Sequence, residues 1–253
     1  MLTSTYIHIP GIGKTIEKRI WESGHSQWDE YLEHQDYISI PATRKERIEK
    51  GISESKDHLK MRDFEYFANC LPGAEHWRAF EHFSDSVAYV DIETTGLSAN
   101  SSCITVVGIY DGKDAKTYVK GINLDDIVEE LEKYELLVSF NGARFDLPFI
   151  KHEFPEINFN QLHVDLMYPL RRIGLTGGLK AIEKKLGIQR TDDTVDITGF
   201  DAVRLWHEYE HGNEESLDLL LEYNREDIVN LKTIIMQTYP QFIERTFQKT
   251  LGK

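Results

Sequence analysis

Val87-Ala88-Tyr89-Val90-Asp91-Ile92-Glu93 is the stretch on which the fold turns. Four apolar residues open it, two carboxylates two positions apart close it, and the turn signal Thr94-Thr95-Gly96 follows. Read as a strand, it alternates its side chains between faces, so Asp91 and Glu93 share one face of a sheet. Adjacent carboxylates repel and raise each other's pKa unless a cation or donor stands between them, and the apolar run before them supplies neither. A divalent metal would.

Working downstream, Cys103 to Tyr110 reads as a second strand, Asp111-Gly112-Lys113 as a hairpin turn, and Ala115 to Lys120 as a third strand. Leu124 to Tyr134 has helical spacing. Leu136 to Phe140 is short and almost wholly apolar, which suits the interior of a sheet covered on both faces. Leu162 to Leu166 is another short strand. Gly177 to Leu186, Asp201 to Tyr209 and Glu214 to Thr238 then read as helices, with a tail starting at Pro240 and ending at Lys253. This order predicts an α/β fold, a mixed sheet flanked by helices.

Working upstream, residues 1–40 read as a compact helical unit entered through the turn Pro10-Gly11-Ile12-Gly13, with Trp21, Trp28 and Tyr31 as its small core. Residues 41–84 read as a polar helical connection, with breaks near Gly51 and at Leu71-Pro72-Gly73. The sheet-bearing domain is expected over 85–245.

The 253 residues are 40% hydrophobic and 28% charged, the composition of a folded globular chain. The net charge of −14 argues against holding nucleic acid by bulk positive charge, while leaving local phosphate sites and metal-bridged contacts open. Two cysteines, Cys70 and Cys103, make no disulfide scaffold and no metal-ligand spacing, so a reducing, cytoplasmic setting is expected. No apolar run is long enough to span a membrane, and residues 1–10 lack a leader pattern.

Further acidic residues fall where they could join Asp91 and Glu93. Asp146 comes just after the apolar strand, at the start of whatever succeeds it, where α/β folds build their sites; alone, it would also fit a helix cap. Tyr223 and Asp227 are four apart in a helical pattern and share a face, although Tyr223 could instead pack against Leu219 and Leu220. Four carboxylates and a phenol suit phosphodiester cleavage. Hard oxygen ligands select Mg²⁺ or Mn²⁺, and two such ions could activate water and stabilise the leaving oxygen.

The segments Asp91-Ile92-Glu93-Thr94-Thr95-Gly96, Asn141-Gly142-Ala143-Arg144-Phe145-Asp146 and Tyr223-Asn224-Arg225-Glu226-Asp227, in that order, resemble the three motifs of the tyrosine-type DEDD exonucleases in the ribonuclease H-like superfamily. The similarity covers roughly residues 86–239 and is nearest to the bacterial and archaeal ribonuclease H-like predicted exonuclease group. The resemblance implies a ribonuclease H-like sheet and catalytic roles for Asp91, Glu93, Asp146, Tyr223 and Asp227, the four acids holding two Mg²⁺ or Mn²⁺ ions. It also implies that Thr95, Leu97 and Asn141 contact a nucleic-acid end, and that cleavage runs 3′ to 5′. Asp165, after the strand at 162–166, either supports the site without touching metal or merely ends a strand. Glu226 is expected at the solvent.

Positive side chains suggest where a substrate strand would run. The Pro10–Gly13 turn resembles one hairpin of a helix-hairpin-helix motif, with Lys14 and Lys18 beside it, and an ordinary tight turn fits equally. Arg171, Arg172, Lys180, Lys184, Lys185 and Arg190 make a candidate track beside the acidic centre. Gly174-Leu175-Thr176-Gly177-Gly178 lacks the ending of a nucleotide-binding loop, and the histidines lack zinc spacing. Rival expectations are a catalytically inactive nucleic-acid-binding or scaffold protein, and an endonuclease of the same superfamily.

Overall fold

The computed structural model describes residues 1–251, and side chains as far as residue 247. Helices α1 (Lys14–Glu22), α2 (Trp28–His34), α3 (Ala42–Lys60), α4 (Phe64–Cys70) and α5 (Phe80–Phe83) precede the first strand. Then come β1 (Val87–Thr94), β2 (Ile104–Tyr110), β3 (Ala115–Val119), α6 (Ile127–Leu131), β4 (Leu136–Ser139), α7 (Asp146–Glu153) and β5 (Leu162–Asp165). Helices α8 (Met167–Arg172), α9 (Leu179–Leu186), α10 (Gly199–Glu210) and α11 (Glu214–Leu251) complete the chain.

The five strands form one mixed sheet in the order β3-β2-β1-β4-β5. The hairpin neighbours β1, β2 and β3 pair antiparallel, whereas β4 and β5 return parallel, as the predicted α/β order requires. At the β2–β3 turn the Asp111 carboxylate accepts the N–H groups of Lys113 and Asp114, and Gly112 takes φ +95°.

β1 lies at the centre, and its alternation sorts the core. Ala88, Val90 and Ile92 pack with Val107, Ile109 and Leu137 under α6 and α7. Val87 and Tyr89 point the other way, into a cluster with Leu136, Val138 and the α11 residues Ile228, Leu231 and Ile235. Burial of each such aliphatic side chain stabilises by about 1.5–3 kcal/mol. Asp91 and Glu93 continue that second face, so the strand carries both carboxylates beneath α11.

Trp21, Trp28 and Tyr31 are buried as expected, in an apolar cluster that runs on into Val87, Tyr89 and the α11 residue Phe242. Beneath them Arg78, 2% exposed, donates to Glu75 at 2.8 Å and to Glu17 at 2.9 Å, and Glu17 also accepts the Tyr6 N–H.

Two expectations are corrected. The helix expected to break near Gly51 runs unbroken through it, because a side chain there would stand 2.8 Å from Ile9; the glycine serves close packing. The tail expected from Pro240 is instead a continuation of α11 to Leu251. Tyr239 and Phe242 pack their rings against Trp77, and burial on both sides of Pro240 outweighs its missing N–H. Lys253 lies outside the described residues.

Candidate active site

Where β1 ends, its neighbours are shaped to bring side chains onto the carboxylate face. Asp91 pairs with Gly108 of β2, and a side chain at Gly108 would collide with the Asn224 amide oxygen. The missing Cβ lets α11 settle onto the sheet, where Asn224 Nδ2 donates to the Asp91 carboxylate at 3.1 Å. The register slips between Glu93 and Thr94, and the strand turns away. Thr94 donates to the Gly96 carbonyl at 2.7 Å, and Thr95 Oγ1 accepts the Cys103 N–H at 3.0 Å. These bonds fix the loop that presents Leu97, 86% exposed, at the rim.

The Asn141–Phe145 loop delivers Asp146 as the first residue of α7, buried, with Phe145 at the cap position; the isolated cap reading is not what forms. Asp165 holds this loop. Its carboxylate accepts the N–H groups of Asn141 at 2.8 Å, Ala143 at 3.2 Å and Met167 at 3.1 Å. Asn141 is thereby kept at φ +66°, a conformation in which the asparagine is tolerated. Asp165 thus supports the loop through its backbone, outside the group of converging acids.

One oxygen each of Asp91, Glu93 and Asp227 lie within 4.8 Å of one another. Asp146 stands outside this trio but on the wall of the same cleft, together with Thr95, Leu97, Asn141, Lys180 and Tyr223. The cleft measures about 620 Å³. Burial first, then Asp227, Asp146 and Glu93, drive the Asp91 carboxyl well above its usual range; Glu93 is raised by burial and by Asp227 and Asp146. Burial lifts Asp146 to about 7, with Asp165 and Asp227 adding to it. Asp227 is lifted by burial to about 6 although Arg190 beside it pulls the other way. So many hard oxygen donors, each disfavoured as an isolated anion, fit one or more divalent cations. Tyr223 is pushed above the ordinary phenol range by burial and the three acids, which keeps its hydroxyl protonated.

Arg190, expected on the substrate track, is instead buried: it makes two 2.7 Å bonds to Glu183 and ion-pairs with Asp227. Its guanidinium carbon lies 5.4 Å from the Tyr223 ring centroid. Lys180 Nζ, 5.1 Å from that centroid, is bonded to the carbonyls of Thr194 and Val195 at 3.0 Å and also to that of Ile197. Glu226 is not a solvated side chain. It accepts the Thr191 N–H at 2.8 Å and bonds Thr194, tying the segment after α9 to α11.

The other basic candidates lie away from the cleft. Lys14 and Arg172 meet at Glu75, at 2.8 and 3.1 Å, Lys18 faces Glu22 at 3.5 Å, and Arg171 lines a separate surface groove with Arg172. The sequence reading missed Phe200, 89% exposed on the cleft rim at the start of α10. It also passed over Asn224 and Gly108, although a glycine inside a strand is itself a signal of close backbone approach.

The chain is similar to several known proteins. The chain is 31% identical over 159 residues to the uncharacterized protein MJ0365 of Methanocaldococcus jannaschii, which covers 56% of this chain and 88% of that one. Its fold is similar to part of the family B DNA polymerase from Pyrobaculum calidifontis, with a TM-score of 0.50 and 14% identity over 66% of this chain and 27% of the polymerase, so it spans about a quarter of that protein's length. NrnC of Brucella melitensis aligns with a TM-score of 0.45 and 18% identity over 68% of this chain and 81% of its own. Residues 88–239, which hold the five strands except for Val87 and all four acids, match the RNase H superfamily model. The chain belongs to the RNase H superfamily.

Proposed function

We propose that this protein is a metal-dependent 3′–5′ exonuclease of the tyrosine type, hydrolysing phosphodiester bonds of single-stranded or end-exposed nucleic acid with two Mg²⁺ or Mn²⁺ ions. The observation that carries this reading is the meeting of Asp91, Glu93 and Asp227 oxygens within 4.8 Å, with Asp146 and Tyr223 on the same cleft. When bound, the ions would supply a nucleophile from water at neutral pH and would stabilise the leaving oxygen. Asp91, Glu93, Asp146 and Asp227 would hold them.

The chain's own residues account for the remaining roles. The Tyr223 hydroxyl, held protonated, orients the attacking water as a hydrogen-bonding group and takes no proton from it. Arg190 and Glu183 fix the Asp227 carboxylate from behind. Leu97 and Phe200, both exposed on the rim, offer apolar surface to the terminal base, while Thr95 and Asn141 place the strand end. Cleavage direction and the tyrosine-type assignment rest on the order and residue types of the three motifs.

The test is hydrolysis of end-labelled single-stranded DNA and RNA with Mg²⁺ or Mn²⁺. A ladder shortening from the 3′ end is expected, circular strands should resist, and Asp91→Asn should abolish product while the fold persists. Tyr223→Phe should slow cleavage less completely, because it removes an orienting hydroxyl and no metal ligand. Undiminished activity in Asp91→Asn, or cutting of circles, would overturn the proposal.

A further inference from the structure

Away from the cleft, a cavity of about 210 Å³ lies where α1, the segment Gly73–Ala79, α8 and the far end of α11 meet. Lys14, Arg78, Arg172 and Arg245 line it against two carboxylates, Glu17 and Glu75. Both carboxylates are satisfied from within the protein. Glu17 accepts from the Tyr6 N–H and Arg78, and Glu75 pairs with Lys14, Arg78 and Arg172. Positive charge is therefore in surplus, and Arg245 has no ion pair among the described residues.

Trp21, Trp77 and Phe242 lie behind these charges at the back of the cavity, almost wholly buried against one another, so the surface the cavity offers is chiefly that of its cations. An adjoining groove shares Arg172 and Arg245 and adds Arg171 and the carboxylate of Glu244, which leaves the cations of the whole strip in the majority. Cations from segments far apart in sequence thus line one strip on a chain whose net charge is −14.

We propose that this strip is a second anchor for nucleic acid, separate from the cleft. Phosphates of a single strand would lie on Lys14, Arg172, Arg245 and Arg171, the cations that border the cavity and the groove beside it. Phosphate contacts fix the position of a strand without reading its sequence. Choosing a strand over another polyanion rests on the nuclease reading and on placement. α8 begins two residues beyond Asp165, the residue holding the Asn141 loop of the cleft, and its six residues span about 9 Å. A strand leaving the cleft past Asn141 would therefore run along α8 toward the strip.

The experiment measures binding of a labelled oligodeoxythymidine of roughly 20 nucleotides, longer than the ~4–16 that one single-strand module covers. The full chain is used in EDTA, across salt, against Lys14→Gln/Arg172→Gln/Arg245→Gln. Losing three phosphate contacts should flatten the slope of log K against log salt by about 2, so that the wild type loses roughly 20-fold more affinity than the variant between about 50 and 200 mM salt. Arg245→Gln alone breaks no ion pair among the described residues and should flatten the slope by about 0.7, which guards against misfolding of the triple variant. Unchanged slopes in both variants would overturn the anchor, as would equal displacement of the strand by poly-glutamate, which would mark the strip as a site for acidic protein. Because hydrolysis plays no part in EDTA, a chain that binds strands this way yet never cleaves them overturns the nuclease reading and leaves the anchor standing.

Discussion

Two buried acidic clusters in this molecule are built on opposite rules. At the junction of α1 and the Gly73–Ala79 segment, Glu75 is raised by burial, but Arg78, Lys14 and Arg172 outweigh that and hold it at about 2. Beneath α11, Asp227 sits at about 6 and Asp146 at about 7, and Asp91 and Glu93 are raised too, although Arg190 and Asn224 are close by. Permanent cations complete the first cluster. The second is left short of positive charge on the wall of a cleft open to solution, and that shortfall separates a site that holds the fold together from one arranged to take cations.

The sharpest way to break this contrast is to remove one acid from the cleft. Asp91→Asn, at an acid with no ion pair among the described residues, should cut hydrolysis by roughly 1,000-fold or more, since several kcal/mol of transition-state stabilisation depend on the bound ions, while the metal-free protein should melt no lower than the wild type. End-labelled assays and thermal melts in EDTA check both halves. A variant that melts lower and remains active would erase the distinction between the clusters.

Removing the cation from the other cluster should do the reverse. Arg78→Met leaves Glu17 and Glu75 buried with fewer partners, and chemical denaturation should register a loss of about 3–5 kcal/mol. Any loss of activity should follow the unfolded fraction.

The pH dependence separates the clusters by sign. Asp227 and Asp146 keep their protons to about 6 and about 7 in the folded state, whereas unfolded aspartate releases them near 3.8, so the metal-free fold binds more protons in that window and loses stability as pH rises through it. Glu75 is depressed from 4.5, so its contribution is present above that value and is lost as pH falls toward about 2. Adding Mn²⁺ should therefore raise the melting temperature more at about pH 7.5 than at about pH 5.5, with a stabilisation near 2.7 kcal/mol once the metal stands at about 100 times its Kd. A shift independent of pH would mean that the raised carboxyls do not take the metal.

The smallest expected effect is at the rim. Phe200→Ala should weaken binding of a strand end by about 1–3 kcal/mol, seen as a higher KM with kcat little changed. The fold should be untouched, because the ring is 89% exposed.

Much of the sheet was legible because its signals are local. The apolar start of Val87–Glu93 with its closing turn signal, the Asp111-Gly112 turn and the apolar run at Leu136 report the strands without reference to anything distant. Gly51 misled because a glycine reads the same whether it breaks a helix or lets Ile9 approach it. Pro240 misled because the packing that carries α11 past it comes from Trp77, more than 160 positions earlier. Arg190 and Lys180 read as free cations because sequence records a charge and not its partner.

By itself the sequence determined the mixed α/β fold and the residue types that could bind hard cations, since period-two patterning and carboxylate chemistry are properties of short segments. Only the tertiary structure decided which charges remain uncompensated. That depends on side chains far apart in the chain, as when Gly108 opens room for Asn224, Asp165 secures the loop bearing Asp146, and Arg78 consumes the negative charge of Glu17 and Glu75. Coulomb energy and desolvation are set by distances in space, and those exist only once the chain has folded.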